Sequence, residues 1–230
     1  MNLFETAALY AKYNRSFSIA TIIGTSGHTP RKDGRMLILP DGTFSGTVGG
    51  GSAERKVIDL ANKAMEEGRG KRVQVNVREC GMIDVYIDVP VRGRKAIIFG
   101  TGHIAKALSE VLYKIGFQIT FIDDFAAKNG FTCPDGMELG TSEKLLKRNI
   151  KPDKKTAVIF SNPEDRDTFI DLILNSEAPY IGVLSSKSRE KINNSRVYQP
   201  IGLDIGAETP EEIAISITAQ ILAVMNGKEF

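Results

Sequence analysis

From Lys95 onward the chain alternates short apolar strands with helix-length segments: AIIFG, a helix, FQITFIDD, a helix, TAVIFS, a helix, then YIGVLSS. Parallel strands need long crossover connections, usually helical, so this order predicts a Rossmann-like, doubly wound parallel sheet. No other feature narrows the fold as much. A final helix is marked at its start, where Thr209 can cap it, Pro210 suits the first helical position and Glu212 completes a capping box. Ile213, Ile217, Ile221 and Val224 give that helix its buried stripe.

The first strand of this half runs into a glycine loop. Residues 96–105 read AIIFGTGHIA, so Gly100 and Gly102 follow a strand and precede a helix with an expected buried face of Ile104, Ala105, Leu108, Val111, Leu112 and Ile115. Gly100 permits a tight turn, Gly102 lets a pyrophosphate approach the backbone, and Ala105 lets helix and strand pack closely. The free amides of the helix start attract anionic oxygens. Asp123 ends the next strand, 23 residues beyond Gly100, where a ribose-binding carboxylate is expected, with Asp124 as the alternative. The geometry suits a dinucleotide such as NAD; the other reading is a packing turn that binds nothing. His103, in the first helical turn, is either a ligand contact or an exposed surface residue.

The first half follows a different pattern. Leu3, Phe4, Ala7, Ala8 and Ala11 recur at helical spacing and predict one buried helix face. Phe17 to Ile23 reads as a strand. Asp41-Gly42 between apolar runs predicts a tight hairpin with both central residues at positive φ. A second amphipathic helix, with Val57, Ile58, Ala61, Ala64 and Met65, stops near Gly68. KRVQVNV and IDVYIDV alternate as strands, giving a small α/β domain with a largely antiparallel sheet. VRGR after Pro90 reads as a linker, which sets domains of 1–92 and 93–230.

Between strand and second helix lies GTVGGGSAERKV. Gly49, Gly50 and Gly51 lack Cβ, so successive amides can turn toward one anion, and Ser52 or Glu54 begins the helix. The loop has no Lys-Ser/Thr ending, which excludes a Walker-type nucleotide hydrolase. Arg31, Lys32 and Arg35 precede it and could supply positive charge. Cys80 opens the last strand of this half, as a buried structural cysteine or, if the loop binds a sulfur-containing ligand, a sulfur-handling one.

Composition excludes several classes. The chain has 230 residues, 42% of them apolar, and a net charge of +2, which is too balanced for a general nucleic-acid binder. No apolar run approaches the ~20 residues of a membrane span, and the N-terminus does not read as a signal peptide. Two cysteines without secretory signals point to the reducing cytoplasm. Two distant histidines and no CxxC make a structural zinc site untenable.

The strings GHTPRKDGRM, GTVGGGSAE, CGMIDVYI, IIFGTGHIAKAL, YIGVLSS and PIGLDIGAETPEEIAISI together resemble the xanthine dehydrogenase accessory family, XdhC/CoxI. The resemblance runs over almost the whole chain and implies a small α/β domain followed by a Rossmann-like one. It also implies a chaperone-like job: binding molybdenum cofactor, supporting its sulfuration, and delivering it to a molybdenum hydroxylase such as xanthine dehydrogenase. A cysteine desulfurase-like sulfurtransferase and a homodimer are further implied partners. By this resemblance the family's motif positions fall on Pro30, Arg31, Gly34, Arg35 and Met36, on Gly49, Gly50, Gly51 and Glu54, on Cys80 and Gly81, on Gly100, Gly102 and His103, and on a terminal block of Gly202, Asp204, Gly206, Glu208, Thr209 and Pro210. The chain departs from the family's pattern at SNPEDRD and at Ser185-Ser186. The two glycine loops are expected to hold the two ends of the cofactor. An NAD(P)-dependent oxidoreductase and a nucleotide-sensing module are the alternatives; the first lacks a persuasive proton donor.

Overall fold

The computed structural model describes residues 2–77, 81–91, 93–147, 152–184 and 191–229. The chain divides into two compact units, Met1–Gly93 and Arg94–Phe230, which are described separately.

The first unit runs α1 (Leu3–Lys12), β1 (Phe17–Gly27), β2 (Arg35–Ile38), β3 (Phe44–Thr47), α2 (Ser52–Glu67), β4 (Lys71–Val77) and β5 (Gly81–Val91). The strands form one antiparallel sheet in the order β3-β2-β1-β5-β4. α2 covers one face, packing Ala53, Val57, Ala61, Ala64 and Met65 on Ala20, Ile22, Met36, Ile38, Ile83, Val85 and Ile87. Each large aliphatic side chain so buried contributes roughly 1.5–3 kcal/mol. α2 stops where Gly68 turns left-handed.

α1 lies against the other face, but not by the expected stripe. Leu3, Ala7 and Tyr10 pack on Phe17, Leu37 and Leu39, whereas Phe4, Ala8 and Ala11 are exposed. The two stripes sit about a third of a turn apart on the helix, and small alanines do not say which one is inward. The Asp41-Gly42 hairpin also differs in detail. Gly42 N–H bonds Leu39 C=O at 2.9 Å, and Gly42 alone takes positive φ, so the loop has three residues with Pro40 leading the turn. A register shift between Ile22 and Gly24 inserts Ile23 as an extra residue and leaves it half-exposed.

Among the described residues of this unit, backbone meets backbone most closely at three glycines. A Cβ added at Gly34 would lie 2.5 Å from Thr47 O, one at Gly46 2.2 Å from Arg35 O, and one at Gly81 2.1 Å from His28 O.

The second unit runs β6 (Lys95–Phe99), α3 (His103–Lys114), β7 (Gln118–Ile122), β8 (Glu138–Gly140), α4 (Ser142–Lys147), β9 (Thr156–Phe160), α5 (Pro163–Leu174), β10 (Tyr180–Val183), β11 (Val197–Tyr198) and α6 (Pro210–Met225). All its strands are parallel, in the order β11-β10-β9-β6-β7-β8. This is the doubly wound Rossmann arrangement. The chain winds outward from β6 and returns to β9, which places a topological switch point between those two strands. α3 and α6 cover one face; α4 and α5 cover the other, where Phe99 stacks on Phe160 and Phe169. Ile115 is partly exposed instead of joining the buried face of α3.

Candidate functional site

Two glycine loops and one anchored loop hold the residues of chemical interest. In the first unit, Gly49, Gly50 and Gly51 take φ of +131°, +88° and +53°, conformations that L side chains rarely adopt. A Cβ at Gly50 or Gly51 would meet nothing within 4 Å, so the loop is open on that side. No side chain caps α2 at Gly51. Instead Glu54, one turn on, folds back over the loop. Its Oε1 accepts from Gly50 N–H at 3.1 Å and from the Thr47 hydroxyl at 2.5 Å, and Thr47 Oγ1 accepts from Gly49 N–H at 3.3 Å. A carboxylate therefore already occupies the point on which these donors converge. The positive end of the α2 dipole favours negative charge there.

The basic residues are placed unequally. Pro30 Cγ lies 3.9 Å from where a Gly49 side chain would start, so Pro30 borders the loop, and Arg31 follows it in the chain. Arg35 stands opposite Thr47 in the β2–β3 ladder, yet it alternates with Met36 and Ile38, which face α2. It therefore occupies the other face of the sheet. Arg31 and Arg35 are both exposed, and neither guanidinium has an ion-pair or hydrogen-bond partner among the described residues. Cys80 lies outside the described residues. Thr47, which the sequence did not single out, is the hydroxyl that ties the loop to Glu54.

In the second unit, Gly100 has φ of +92° and its N–H bonds Ile122 O at 2.9 Å. A Cβ there would lie 2.4 Å from Ser161 Oγ. Ser161 in turn bonds Phe99 O through Oγ at 2.6 Å and through its amide at 3.0 Å, so the two strands at the switch point are tied together. Gly102 caps α3 in extended backbone, and a Cβ there would meet nothing. Close approach to this amide is therefore open. Asp123 accepts from the Thr101 hydroxyl at 2.6 Å and from Phe125 N–H at 2.8 Å, and Asp124 accepts from Ser142 N–H at 2.8 Å.

The neighbourhood of that loop is acidic. Burial pushes the Asp165 carboxyl above its ordinary range, and the charges of Asp123, Asp124 and Glu164 push the same way against a bond from Asn162. His103 is exposed and lines a groove of about 510 Å³ with Lys106, Glu110, Lys114, Pro210 and Glu211. Cys133 is half-buried; burial and Glu138 both raise its thiol pKa, which makes it a poor nucleophile at neutral pH. Among the described residues, no group of three His, Cys, Asp or Glu could hold a metal ion, and no helix is long and apolar enough to cross a membrane.

The third feature is the loop between β11 and α6. Gln220 is buried; its Oε1 accepts from Tyr180 Oη–H at 2.7 Å and Gly202 N–H at 2.9 Å, and its amide donates to Gly202 O at 3.2 Å. Ser216 Oγ donates to Leu203 O at 2.6 Å. At the far end Glu212 Oε2 accepts from the amides of Glu208 and Thr209, which complete the capping box of α6.

An antiparallel α/β unit with a glycine-lined helix start, followed by a Rossmann unit, defines a two-unit α/β protein. Residues 96–221 match the XdhC Rossmann domain and residues 11–76 match the XdhC and CoxI family. The chain belongs to the XdhC/CoxI family. It is 31% identical over 257 aligned positions to the uncharacterized protein YqeB of Escherichia coli K12, covering 99% of this chain and 47% of that protein. It is 29% identical over 138 positions to a probable xanthine dehydrogenase subunit of Bacillus subtilis 168, covering 56% of this chain and 42% of that protein. The chain thus spans less than half the length of either relative. A crystal structure described as a xanthine dehydrogenase from Bacillus halodurans shares the fold, with a TM-score of 0.52 at 21% identity, over 100% of this chain and 97% of that one.

Proposed function

We propose that this chain is an accessory factor for a molybdenum hydroxylase of the xanthine dehydrogenase type, and that its glycine loop at Gly49–Gly51 holds the anionic end of molybdenum cofactor. Family membership and the Bacillus subtilis relative named for xanthine dehydrogenase support the accessory role. One observation supports the cradle: the Gly50 amide and the Thr47 hydroxyl already converge on an anionic oxygen, Glu54 Oε1. A ligand phosphate would take the place of that carboxylate, with the unpaired guanidinium of Arg31, next in the chain after Pro30, to favour it. Glu54 then limits affinity, a useful property in a carrier that must release its cargo.

Sulfuration falls to a separate sulfurtransferase in this reading; burial raises the Cys133 thiol pKa, so that cysteine is not assigned a sulfur-transfer role. The test is anoxic incubation with molybdopterin, removal of free ligand, and oxidation of what remains to its fluorescent pterin. Wild type is expected to retain pterin, and folded Gly50→Asp to lose it. Retention by neither, or equal retention by both, overturns the proposal.

A second reading is a nucleotide-sensing Rossmann unit, favoured by the open approach at Gly102 and by Asp123 at the end of β7. Against it stand the carboxylates around Asp165. Titration with NADH decides: saturable binding that Gly102→Asp abolishes favours this reading, and no binding removes it.

A further inference from the structure

The chain has two Asn-Gly pairs, Asn129-Gly130 and Asn226-Gly227. Asparagine is a thermolabile residue. A following glycine, without Cβ, leaves its own amide nitrogen able to reach the asparagine side-chain carbonyl. The structure treats the two pairs differently. Asn226 ends α6, and its Oδ1 accepts from the Arg94 guanidinium at 2.7 Å, so its side chain is held. Asn129 lies in the turn of residues 124–130 between β7 and β8. It is exposed, and its side chain has no hydrogen-bond partner among the described residues. In that turn the amides of Asn129, Gly130 and Phe131 donate to Phe125 O, Ala127 O and Ala126 O at 3.0, 3.2 and 2.9 Å. The Gly130 nitrogen thus has the longest of the three bonds, in an exposed turn of the kind that opens locally most readily.

We propose that Asn129 is a site of spontaneous covalent modification, converting through a cyclic imide with Gly130 to aspartate and isoaspartate. The Gly130 nitrogen attacks Asn129 Cγ; the new N–Cγ bond forms, the Cγ–Nδ2 bond breaks, and ammonia leaves with the amide proton. Water then adds to either carbonyl of the imide and opens the ring. Water is the only co-reactant, and nothing is oxidised or reduced. Both products carry a carboxylate where the chain had an amide, and isoaspartate routes the main chain through the side-chain carbons. The same turn holds Phe125, whose N–H donates to Asp123 Oδ1 at 2.8 Å, and leads into Phe131, which packs edge-on against Phe121. Conversion therefore loosens the seat of the carboxylate at the end of β7.

The test incubates the folded full chain in warm, mildly alkaline buffer and weighs the peptides that span each Asn-Gly pair. Isoaspartate is counted separately by enzymatic methylation. The peptide with Asn129 is expected to gain the mass of an amide-to-acid exchange about tenfold faster than the peptide with Asn226, the factor that a bond to a charged group supplies. In urea the two pairs should convert alike. Asn129→Gln should lose the gain, and Arg94→Gln should bring Asn226 toward the rate of Asn129. No gain at Asn129 in the folded protein overturns the proposal. Equal rates at the two pairs in the folded protein overturn it as well, because the fold then makes no choice between them. An Asn226 that stays slow in Arg94→Gln overturns the protection assigned to that bond.

Discussion

The carboxylate of Glu54 accepts the amide hydrogen of Gly50, four residues earlier, across the turn that starts α2. Glycine at 50 is thus needed for its backbone angle, whatever binds there. Gly50→Ala is expected to cost about 1–3 kcal/mol, the strain of a non-glycine residue at φ of +88°, although nothing occupies the space its methyl would enter. Gly102→Ser makes the contrast. Its backbone is ordinary extended chain at a helix N-cap, so the change should stay within about 0.5 kcal/mol. Urea unfolding of both variants measures the difference, and equal losses would contradict it.

Gln220 joins Tyr180 to Gly202. Gln220→Leu leaves a buried hydroxyl and the polar backbone groups of Gly202 without their partner, and should cost about 2–4 kcal/mol. Tyr180→Phe removes one bond and should cost about 1 kcal/mol. The double variant should fall short of the sum, because both changes break the same bond. Chemical denaturation of the three variants gives the comparison, and strict additivity would dissolve the link.

Asp165 is held above its ordinary pKa by burial and by three neighbouring carboxylates. Its native state therefore keeps the proton longer than the unfolded chain does. Stability falls as pH rises from the unfolded carboxylate pKa through the raised folded value, and that penalty is present in full at neutral pH. Asp165→Asn is expected to raise the melting temperature at pH 7, with the gain fading as pH is lowered through that window. Melting curves from pH 3 to 7 would refute this if the gain were constant or grew on acidification.

Thr209 caps α6 reciprocally with Glu212. Thr209→Ala should cost about 1 kcal/mol, and Thr209→Ser should restore most of it. Thermal unfolding of the pair is the check, and an equal loss in Ser and Ala would remove the hydroxyl from the explanation.

Much of this was legible in the sequence because the signals were local. Thr209, Pro210 and Glu212 announced a helix start, and the glycines at 100 and 102 took the positions their spacing required. The inward face of α1 was not legible, because Ala7, Ala8 and Ala11 carry too little side chain to say which packs. β8 went unseen: Glu138–Gly140 is a three-residue edge strand with only Gly140 buried, too short for any periodicity. Within the candidate site, the glycine run was visible but the return of Glu54 to Gly50 was not. A carboxylate in a first helical turn reads the same whether it faces water or the preceding loop. The partnering of Asp123 by Thr101 is likewise a matter of tertiary distance, not of pattern.

Gly34, Gly46 and Gly81 press directly on carbonyl oxygens of neighbouring segments, with no room for even a methyl group. In a randomised library, those three columns would come back almost pure glycine with no ligand present during selection. Gly50 and Gly51, with empty space before them, would tolerate at a moderate penalty whatever can bend the chain leftward. Invariance at the first three would report assembly of the sheet, and only invariance at the latter pair, beyond what bending demands, would report on cargo.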